Sequence, residues 1–113
     1  MKSRRDPEPV LLGSLEEQVM LAVVRTGEDA YGMNVRRELA EVTGREIAIG
    51  AVYATLDRLE AKGFVASTRP DAAEGPSRRV FAVSAAGARS LALTRSTRER
   101  LWSGVKLQRI ADT

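Results

Sequence analysis

The sequence contains no cysteine and no histidine, and each absence excludes a class of function. Without cysteine the chain forms no disulfide, offers no thiolate nucleophile and lacks the ligands of a zinc finger. Without histidine it has no imidazole for proton transfer or for metal binding. The acids, lysines and tyrosines that remain form no converging set along the chain. We therefore expect a protein that is not an enzyme and that needs no cofactor and no metal.

Long apolar runs and aromatic residues are also scarce. No apolar run approaches the roughly 20 residues needed to cross a bilayer, and residues 1–7 contain no apolar signal-peptide core. We therefore expect a cytoplasmic protein that has no membrane partner. Aromatic residues make up 4% of the 113 residues, whereas hydrophobic residues make up 43%. This composition predicts one domain with a core built mainly from aliphatic residues and alanine.

The positive charge is concentrated in the second half of the sequence. The formal net charge is +3. Residues 10–48 carry three more acids than bases, whereas residues 85–113 carry four more bases than acids. This distribution favours an anionic partner such as nucleic acid. A solvated surface without any partner is the alternative interpretation.

Helical periodicity predicts two helices before residue 45. The first is predicted over about 14–26, where Ser14 and Glu17 have the spacing of a capping box. The second is predicted over about 30–43, with Asp29 as its cap and Gly44 at its end. Residues 45–48 are interpreted as a turn or a brief strand. Residues 1–12 are predicted to form a flexible basic arm, because two prolines disfavour helix there.

The third helix has the most regular pattern in the chain. Its apolar positions recur at spacings of three and four and end at a glycine: Ile49, Val52, Leu56, Leu59 and Gly63. Such spacing predicts one narrow stripe that faces the core. At about 100° per residue, the opposite face is predicted to hold small residues followed by basic ones: Ala51, Ala54, Thr55, Arg58 and Lys62.

After Gly63 the periodicity changes from helical to alternating. Residues 64–69 and 78–84 are predicted strands, and the loop 70–77 between them is rich in glycine and proline. A last helix is predicted from Ser84 to about residue 108, interrupted early by Gly87. Its apolar stripe is imperfect, because Arg95 and Arg98 interrupt it.

The order of the elements predicts a mainly α fold with a small β-hairpin, which is the winged helix-turn-helix arrangement. We assign residues 1–12 to the arm, 13–84 to a winged helix-turn-helix DNA-binding domain, and 85–113 to a C-terminal helix and tail. The family resemblance described next implies that this last segment is a dimerisation helix. The major groove of DNA, roughly 12 Å wide, admits one α-helix. The hairpin, or wing, would reach the neighbouring groove or the phosphates.

Five segments carry a resemblance to a known family: 12–16, 29–32, 36–39, 43–45 and 49–63. They resemble the PadR family of transcriptional regulators, in register from about Leu11 to Gly87. The most specific parts are the pair Tyr31 and Gly32 and the run Tyr-x-x-Leu-x-Arg-Leu-Glu-x-x-Gly, which begins at Tyr53. Within the family the chain is similar to the short form with a single C-terminal helix.

This resemblance implies a homodimeric repressor that binds double-stranded DNA at a palindromic operator. The third helix would lie in the major groove with wing arginines on phosphates, and the C-terminal helix would pack on the partner. A small hydrophobic effector at the dimer interface is a further candidate partner. The family often carries Ser, Thr or Pro near the start of the third helix. Here Ala48, Ala51 and Ala54 stand there, so direct base readout is expected to be sparse.

The candidate site residues fall into two groups. The DNA-binding candidates are Tyr31, Ala51, Tyr53, Ala54, Thr55, Arg58, Lys62, Arg78 and Arg79. The candidates for the dimer interface are Leu15, Val19, Leu91, Leu101, Trp102 and Val105.

Several DNA-binding candidates have a second interpretation. Tyr53 either donates its hydroxyl to a phosphate or packs half-buried, and the same choice holds for Tyr31. Arg58 either reaches a guanine edge or pairs at the surface with Asp57 or Glu60. Lys62 is either a phosphate contact or a solvated lysine. Arg78 and Arg79 alternate sides on a strand, so we expect one of them to face DNA.

The interface candidates also have alternatives. Leu15 and Val19 are most simply core residues. Trp102 either lines a ligand pocket or anchors the dimer, since aromatic anchors are typical of interface centres. Two other functions stay open at this point. One is a winged-helix interaction module that does not read DNA, and the other is a basic C-terminal helix that binds a membrane or an acidic partner.

Overall fold

The computed structural model of the chain describes residues 7–70 and 78–112. Within these ranges the order of elements agrees with the sequence prediction of three helices, a hairpin and a long last helix. The elements are α1 (Ser14–Thr26), α2 (Gly32–Thr43), α3 (Ile49–Ala61), β1 (Val65–Thr68), β2 (Val80–Val83), α4 (Ala85–Trp102) and the short α5 (Gln108–Ala111). Among the described residues, no helix is both long and apolar enough to cross a bilayer.

The core lies where α1, α2 and α3 meet above the hairpin. Its fully buried apolar side chains are aliphatic apart from one ring: Val19, Met20, Val35, Val52, Leu56, Leu59 and Phe81. Phe64, at the start of the hairpin, is also buried. The aliphatic core predicted from the composition is therefore present, and two phenylalanines attach the hairpin to it.

The starts of α1 and α2 differ from the prediction. The N-cap of α1 is Gly13, whose N–H donates to Glu16 Oε1 at 3.3 Å. The capping pair lies one residue earlier than Ser14 and Glu17 because the chain is still extended at Gly13. The N-cap of α2 is Tyr31 rather than Asp29, because Gly27–Asp29 form a 3₁₀ turn of their own.

The hairpin is paired on both edges of β2. Strands β1 and β2 are antiparallel, with Val65 opposite Val83. On the other edge, Tyr31 forms an isolated bridge with Val80, and Phe81 N–H donates to Ala30 O at 3.0 Å. The wing is therefore hydrogen-bonded to the start of α2. Residues 45–48 form no strand, and most of the predicted loop lies at 71–77, outside the described residues.

The last helix is continuous through Gly87, which the sequence predicted as an interruption. A Cβ atom at Gly87 would lie 2.1 Å from Phe64 O, so only glycine permits this approach of α4 to the hairpin. Ser84 caps the helix as predicted, since its Oγ accepts from Gly87 N at 3.0 Å. The helix ends at Trp102, about six residues early, and Gly104 follows with φ 77°.

Residues 10–12 are attached to α4. Val10 N–H donates to Ser90 Oγ at 3.1 Å, and Leu12 N–H donates to Thr94 Oγ1 at 3.0 Å. Leu12, Ser90 and Thr94 are all buried. The predicted arm over 1–12 therefore extends too far, because its last three residues belong to the packed domain. Residues 1–6 lie outside the described part of the chain.

Candidate nucleic-acid interface

The exposed face of α3 is rotated relative to the prediction. Thr55, predicted to lie on the outer face, is only 1% exposed and lies in the buried stripe with Val52, Leu56 and Leu59. Its hydroxyl accepts a hydrogen bond from Arg58 Nη2 at 3.2 Å, which offsets the cost of burying a polar group. Thr55 is therefore wrong as a surface contact.

The burial of Thr55 shifts the centre of the outer face. The residues that α3 exposes there are Gly50, Ala54, Asp57 and Ala61. On one flank of this face, Ala51 is half-buried and Arg58 is exposed. The periodicity of the apolar residues predicted the helix and its buried stripe. Thr55 was predicted on the outer face because threonine was counted as a polar residue. In the structure the methyl group of Thr55 is buried like the side chain of a valine.

Arg79 of the wing is bound to α3. Its Nη2 lies 3.0 Å from Asp57 Oδ1, its Nη1 lies 3.6 Å from Glu60 Oε1, and its guanidinium lies 4.9 Å from the Phe81 ring centroid. Glu60 also accepts from Ser67 Oγ at 3.0 Å. Glu60 is therefore paired with the wing through Arg79 and Ser67. Arg79 therefore fixes the wing beside α3.

Arg78 lies on the other side of the wing, together with two tyrosines. Its guanidinium carbon lies 4.5 Å from the centroid of the Tyr31 ring. Tyr31, Tyr53, Arg78, Met33 and Asn34 line a surface cavity of about 290 Å³. The structure thus brings three of the predicted DNA-binding residues together at the start of α2.

Gly32 explains how Tyr53 reaches this position. A Cβ atom at Gly32 would lie 2.5 Å from Tyr53 Cζ, so the ring lies directly on the glycine backbone. Both tyrosines are half-buried, and they therefore pack against the domain and also border the surface. The first N–H groups of a helix have no partner within the helix, and its N-terminus favours anions. The first turn of α2 borders this cavity through Met33 and Asn34, so an anion there would lie near the N-terminus of the helix.

Lys62 forms an ion pair within the chain. Its Nζ lies 2.8 Å from Glu16 Oε2, which connects the end of α3 to the start of α1. The hydrogen bond from Lys62 lowers the pKa of the Glu16 carboxyl below its ordinary value. Arg58, by contrast, is exposed, and its guanidinium donates a hydrogen bond to Thr55 Oγ1. Within residues 7–70 and 78–112, Arg58 forms no ion pair, and its side chain is exposed to solvent.

The proposed dimer residues fall into buried and exposed groups. Val19 is fully buried and Leu15 packs partly buried against the same core, so Val19 is wrong as an interface residue and Leu15 is a core neighbour. Leu91 is half-buried. The exposed members of the list are Leu101, Trp102 and Val105.

The apolar residues that α1 does expose are Leu21 and Val24. Sequence analysis missed both, because they lie beside the predicted stripe rather than on it. Leu21 lines a cavity of about 380 Å³ with Glu17, Leu91, Ala92, Arg95 and Arg98, between α1 and α4. Arg98 donates to Glu17 Oε2 at 2.7 Å across this cavity, and that hydrogen bond raises the pKa of Arg98.

Comparison with known proteins identifies relatives of this domain. The model of the family described as "Transcriptional regulator PadR-like family" matches residues 20–93. Among proteins with curated functions, none matches the chain significantly.

Three solved structures are similar in fold. A PadR-like transcription factor from Bacteroides fragilis is 23% identical, with a TM-score of 0.66, over 77% of this chain and 82% of that one. RosR from H. salinarum is 23% identical, with a TM-score of 0.65, over 96% and 89%. A complex structure of a RosR protein, hsRosR-S1, is 26% identical, with a TM-score of 0.57, over 90% and 96%.

Proposed function

Because the chain belongs to the PadR-like family of transcriptional regulators, we propose that it is a homodimeric repressor that binds a palindromic operator in duplex DNA. Members of this family are regulators and not enzymes. In this proposal α3 enters the major groove, the wing contacts phosphates, and the bound dimer covers a promoter. The protein acts in the cytoplasm, where the chromosome lies.

The observation that carries the proposal is the outer face of α3 together with the groups beside it. Gly50, Ala54 and Ala61 have minimal side chains, so the helix can approach the floor of a groove closely. Arg58 flanks this face on one side, and Arg78 lies with the two tyrosines on the other. A helix face of small residues with an arginine on each flank fits the major groove, because the groove is bordered on both sides by phosphates.

The individual contacts follow from this geometry. Tyr31, Tyr53 and Arg78 bind one phosphate strand at the start of α2, while Ala51 and Ala54 face the bases. Arg58 leaves Thr55 and reaches a guanine edge or the opposite phosphate strand. Lys62 and Arg79 are each paired with an acid of the same chain, so in this proposal they position α3 and the wing, and they contact phosphate only if those pairs open.

Exposed apolar residues on α1 and at the end of α4 support the proposed dimer. Leu101, Trp102 and Val105 at the end of α4, together with Leu21 and Val24 of α1, are exposed in the single chain. Packing α4 of one copy against α1 of the other would bury both groups. A small hydrophobic effector would bind beside Leu21 in a mainly apolar surface cavity of about 300 Å³, which Leu39 and Val42 also line.

A winged-helix interaction module is the second candidate function, and Asp57 favours it. A carboxylate at the centre of the outer face would repel DNA phosphates unless a cation offset its charge. The ion pair with Arg79 supplies that cation within the chain. The DNA-binding proposal therefore remains the better account.

The test is fluorescence anisotropy with duplex DNA from the protein's own upstream region and with a scrambled duplex, at several salt concentrations. We expect nanomolar affinity for the operator alone, falling steeply as salt rises. Equal weak binding to both duplexes would lead to a selection from genome fragments. If that selection enriched no sequence, the repressor proposal would be wrong and the interaction module would replace it.

A further inference from the structure

Asp57 is the polar side chain at the centre of the face that α3 turns outward. We propose that Asp57 determines sequence specificity by accepting a hydrogen bond from the exocyclic amino group of a cytosine in the major groove. The inference rests on the proposed function, since it requires α3 to enter that groove. It adds a base-reading residue to a helix whose first two turns are lined by alanine and glycine.

The neighbours of Asp57 on this face allow its carboxylate to reach the bases. Ala54 lies one turn before it and Ala61 one turn after it, and both are exposed. Neither side chain extends beyond its Cβ atom, so neither holds the helix away from the groove floor. The carboxylate of Asp57 is then the group that projects furthest from this face.

The charge of Asp57 is already offset inside the chain. Arg79 Nη2 donates to Asp57 Oδ1 at 3.0 Å. Arg79 is itself positioned by Glu60 and by the Phe81 ring. The guanidinium, which is shared between Asp57 and Glu60, therefore reduces the repulsion between the Asp57 carboxylate and the phosphates.

The carboxylate keeps capacity for a further hydrogen bond. An ionised carboxylate has about four acceptor positions, and the bond from Arg79 uses one of its oxygens. The Asp57 side chain is 58% exposed, so the remaining positions are open to a donor from outside the chain.

The donors in the major groove select cytosine as the partner. Guanine and thymine present acceptors at O6, N7 and O4, which would repel a carboxylate. Adenine presents an N6 donor, but its N7 acceptor lies directly beside it. Cytosine presents its N4 donor next to a C–H group, and carboxylates accept from that donor. Cytosine is therefore the base that a single carboxylate favours most.

The experiment measures affinity for a set of operator duplexes in which each base pair is changed in turn. We expect the wild type to lose about tenfold in affinity, the scale of one base contact, when one particular C·G pair per half-site becomes T·A. Asp57→Ala should bind the C·G and T·A duplexes equally. Asp57→Asn should prefer A·T at that position, because an amide pairs with adenine N6 and N7.

The matched control is Arg79→Gln, which breaks the ion pairs with α3 but leaves the carboxylate in place. It should weaken binding to all duplexes by a similar factor and keep the preference for cytosine. If Asp57→Ala keeps the wild-type preference at every position, the proposal is wrong. If Arg79→Gln removes the cytosine preference as completely as Asp57→Ala does, Asp57 acts only by positioning the wing, and the proposal is again wrong.

The same data separate this inference from the proposed function. If the wild type selects no sequence, the DNA-binding proposal fails and Asp57 has no base to read. If it selects an operator and Asp57→Ala selects the same operator with the same profile, only the role of Asp57 fails. Thermal melting of each variant confirms that the exposed substitution leaves the domain folded.

Discussion

The outer surface of α3 and the second half of α4 differ in whether their side chains already have partners within a single chain. On α3 and the wing, Lys62, Arg79 and Asp57 have partners inside the chain, so the surface is organised before any ligand arrives. The second half of α4 instead exposes Leu101 and Trp102. The difference is that the face of α3 is already organised within a single chain, whereas the end of α4 leaves apolar side chains exposed, which a second copy would bury in the proposed dimer.

The largest expected effect comes from adding charge to the end of α4. The double variant Leu101→Asp, Trp102→Asp should be a folded monomer, because both side chains are exposed in the single chain. Its affinity for a palindromic operator should fall on the order of a hundredfold, since two linked half-site contacts become one. Sedimentation velocity and anisotropy would measure the two effects.

The control places the same charges at Ala85 and Ala88, two exposed positions in the first turns of α4. Ala85→Asp, Ala88→Asp should remain dimeric and keep its DNA affinity. If the control dissociated as readily as the variant at the end of the helix, the interface would not lie there.

The next largest effect concerns the packing of α4 against the hairpin. This contact sets the position of the end of α4 relative to the outer surface of α3. Gly87→Ala would place a Cβ atom 2.1 Å from Phe64 O, a backbone atom that cannot rotate away. We expect a loss of about 3 kcal/mol in the free energy of unfolding and a melting temperature lower by on the order of 10 °C.

Gly50→Ala serves as the comparison for this change, because nothing lies within 4 Å of a Cβ atom there. It should unfold at or above the wild-type temperature, since alanine is the better helix former. Equal destabilisation by the two substitutions would contradict the close approach of α4 to the hairpin.

A smaller effect distinguishes the two wing arginines. Arg78→Ala should weaken binding to every duplex about fivefold and reduce the salt dependence by about one ion, as expected for one phosphate contact. Arg79→Gln should change the salt dependence less, because Arg79 is already paired with Asp57 and Glu60. Identical salt slopes for the two variants would show that both arginines contact phosphate directly.

The smallest effect is a pH dependence of stability. The hydrogen bond from Lys62 lowers the pKa of Glu16 in the folded chain. The pair therefore stabilises the fold above the ordinary carboxyl pKa, and this contribution is lost as the pH falls through the lowered value. Its size should stay below about 1 kcal/mol, because Lys62 is half-exposed and solvent screens the pair.

Glu16→Gln should remove this contribution. Melting temperatures of the wild type and of the variant, followed from pH 7 to pH 3, should converge at the acidic end. A difference that stayed constant with pH would mean that the pair contributes nothing through its charge.

The spacing of the apolar residues and the positions of glycine and proline predicted the elements of the fold. The stripe from Ile49 to Leu59 and the change of period after Gly63 were sufficient for α3 and for the hairpin. The details that depend on contacts between distant residues were wrong or missing. From the sequence, Gly87 was predicted to interrupt the helix, but in the structure it permits the close packing of Phe64. Residues 10–12 were predicted to belong to a flexible arm, but Ser90 and Thr94 accept hydrogen bonds from them.

The candidate site was predictable in its parts and less so in its arrangement. The resemblance located Tyr31 and Tyr53, and the order of the elements located the wing arginines. The structure places Arg78 beside both tyrosines and Arg79 beside α3. The resemblance could not show that Thr55 is buried, because threonine can expose its hydroxyl or bury its methyl group. The ion pair between Asp57 and Arg79 was also hidden, since only the folded hairpin brings the two side chains together.

The mass of the complex with an operator duplex, measured by sedimentation equilibrium, tests the central claim most directly. Two chains per palindromic duplex are expected for the wild type, and the Leu101→Asp, Trp102→Asp variant should show one chain on a single half-site at much lower affinity. One wild-type chain per duplex at full affinity would contradict the account, because the end of α4 would then play no part in DNA binding.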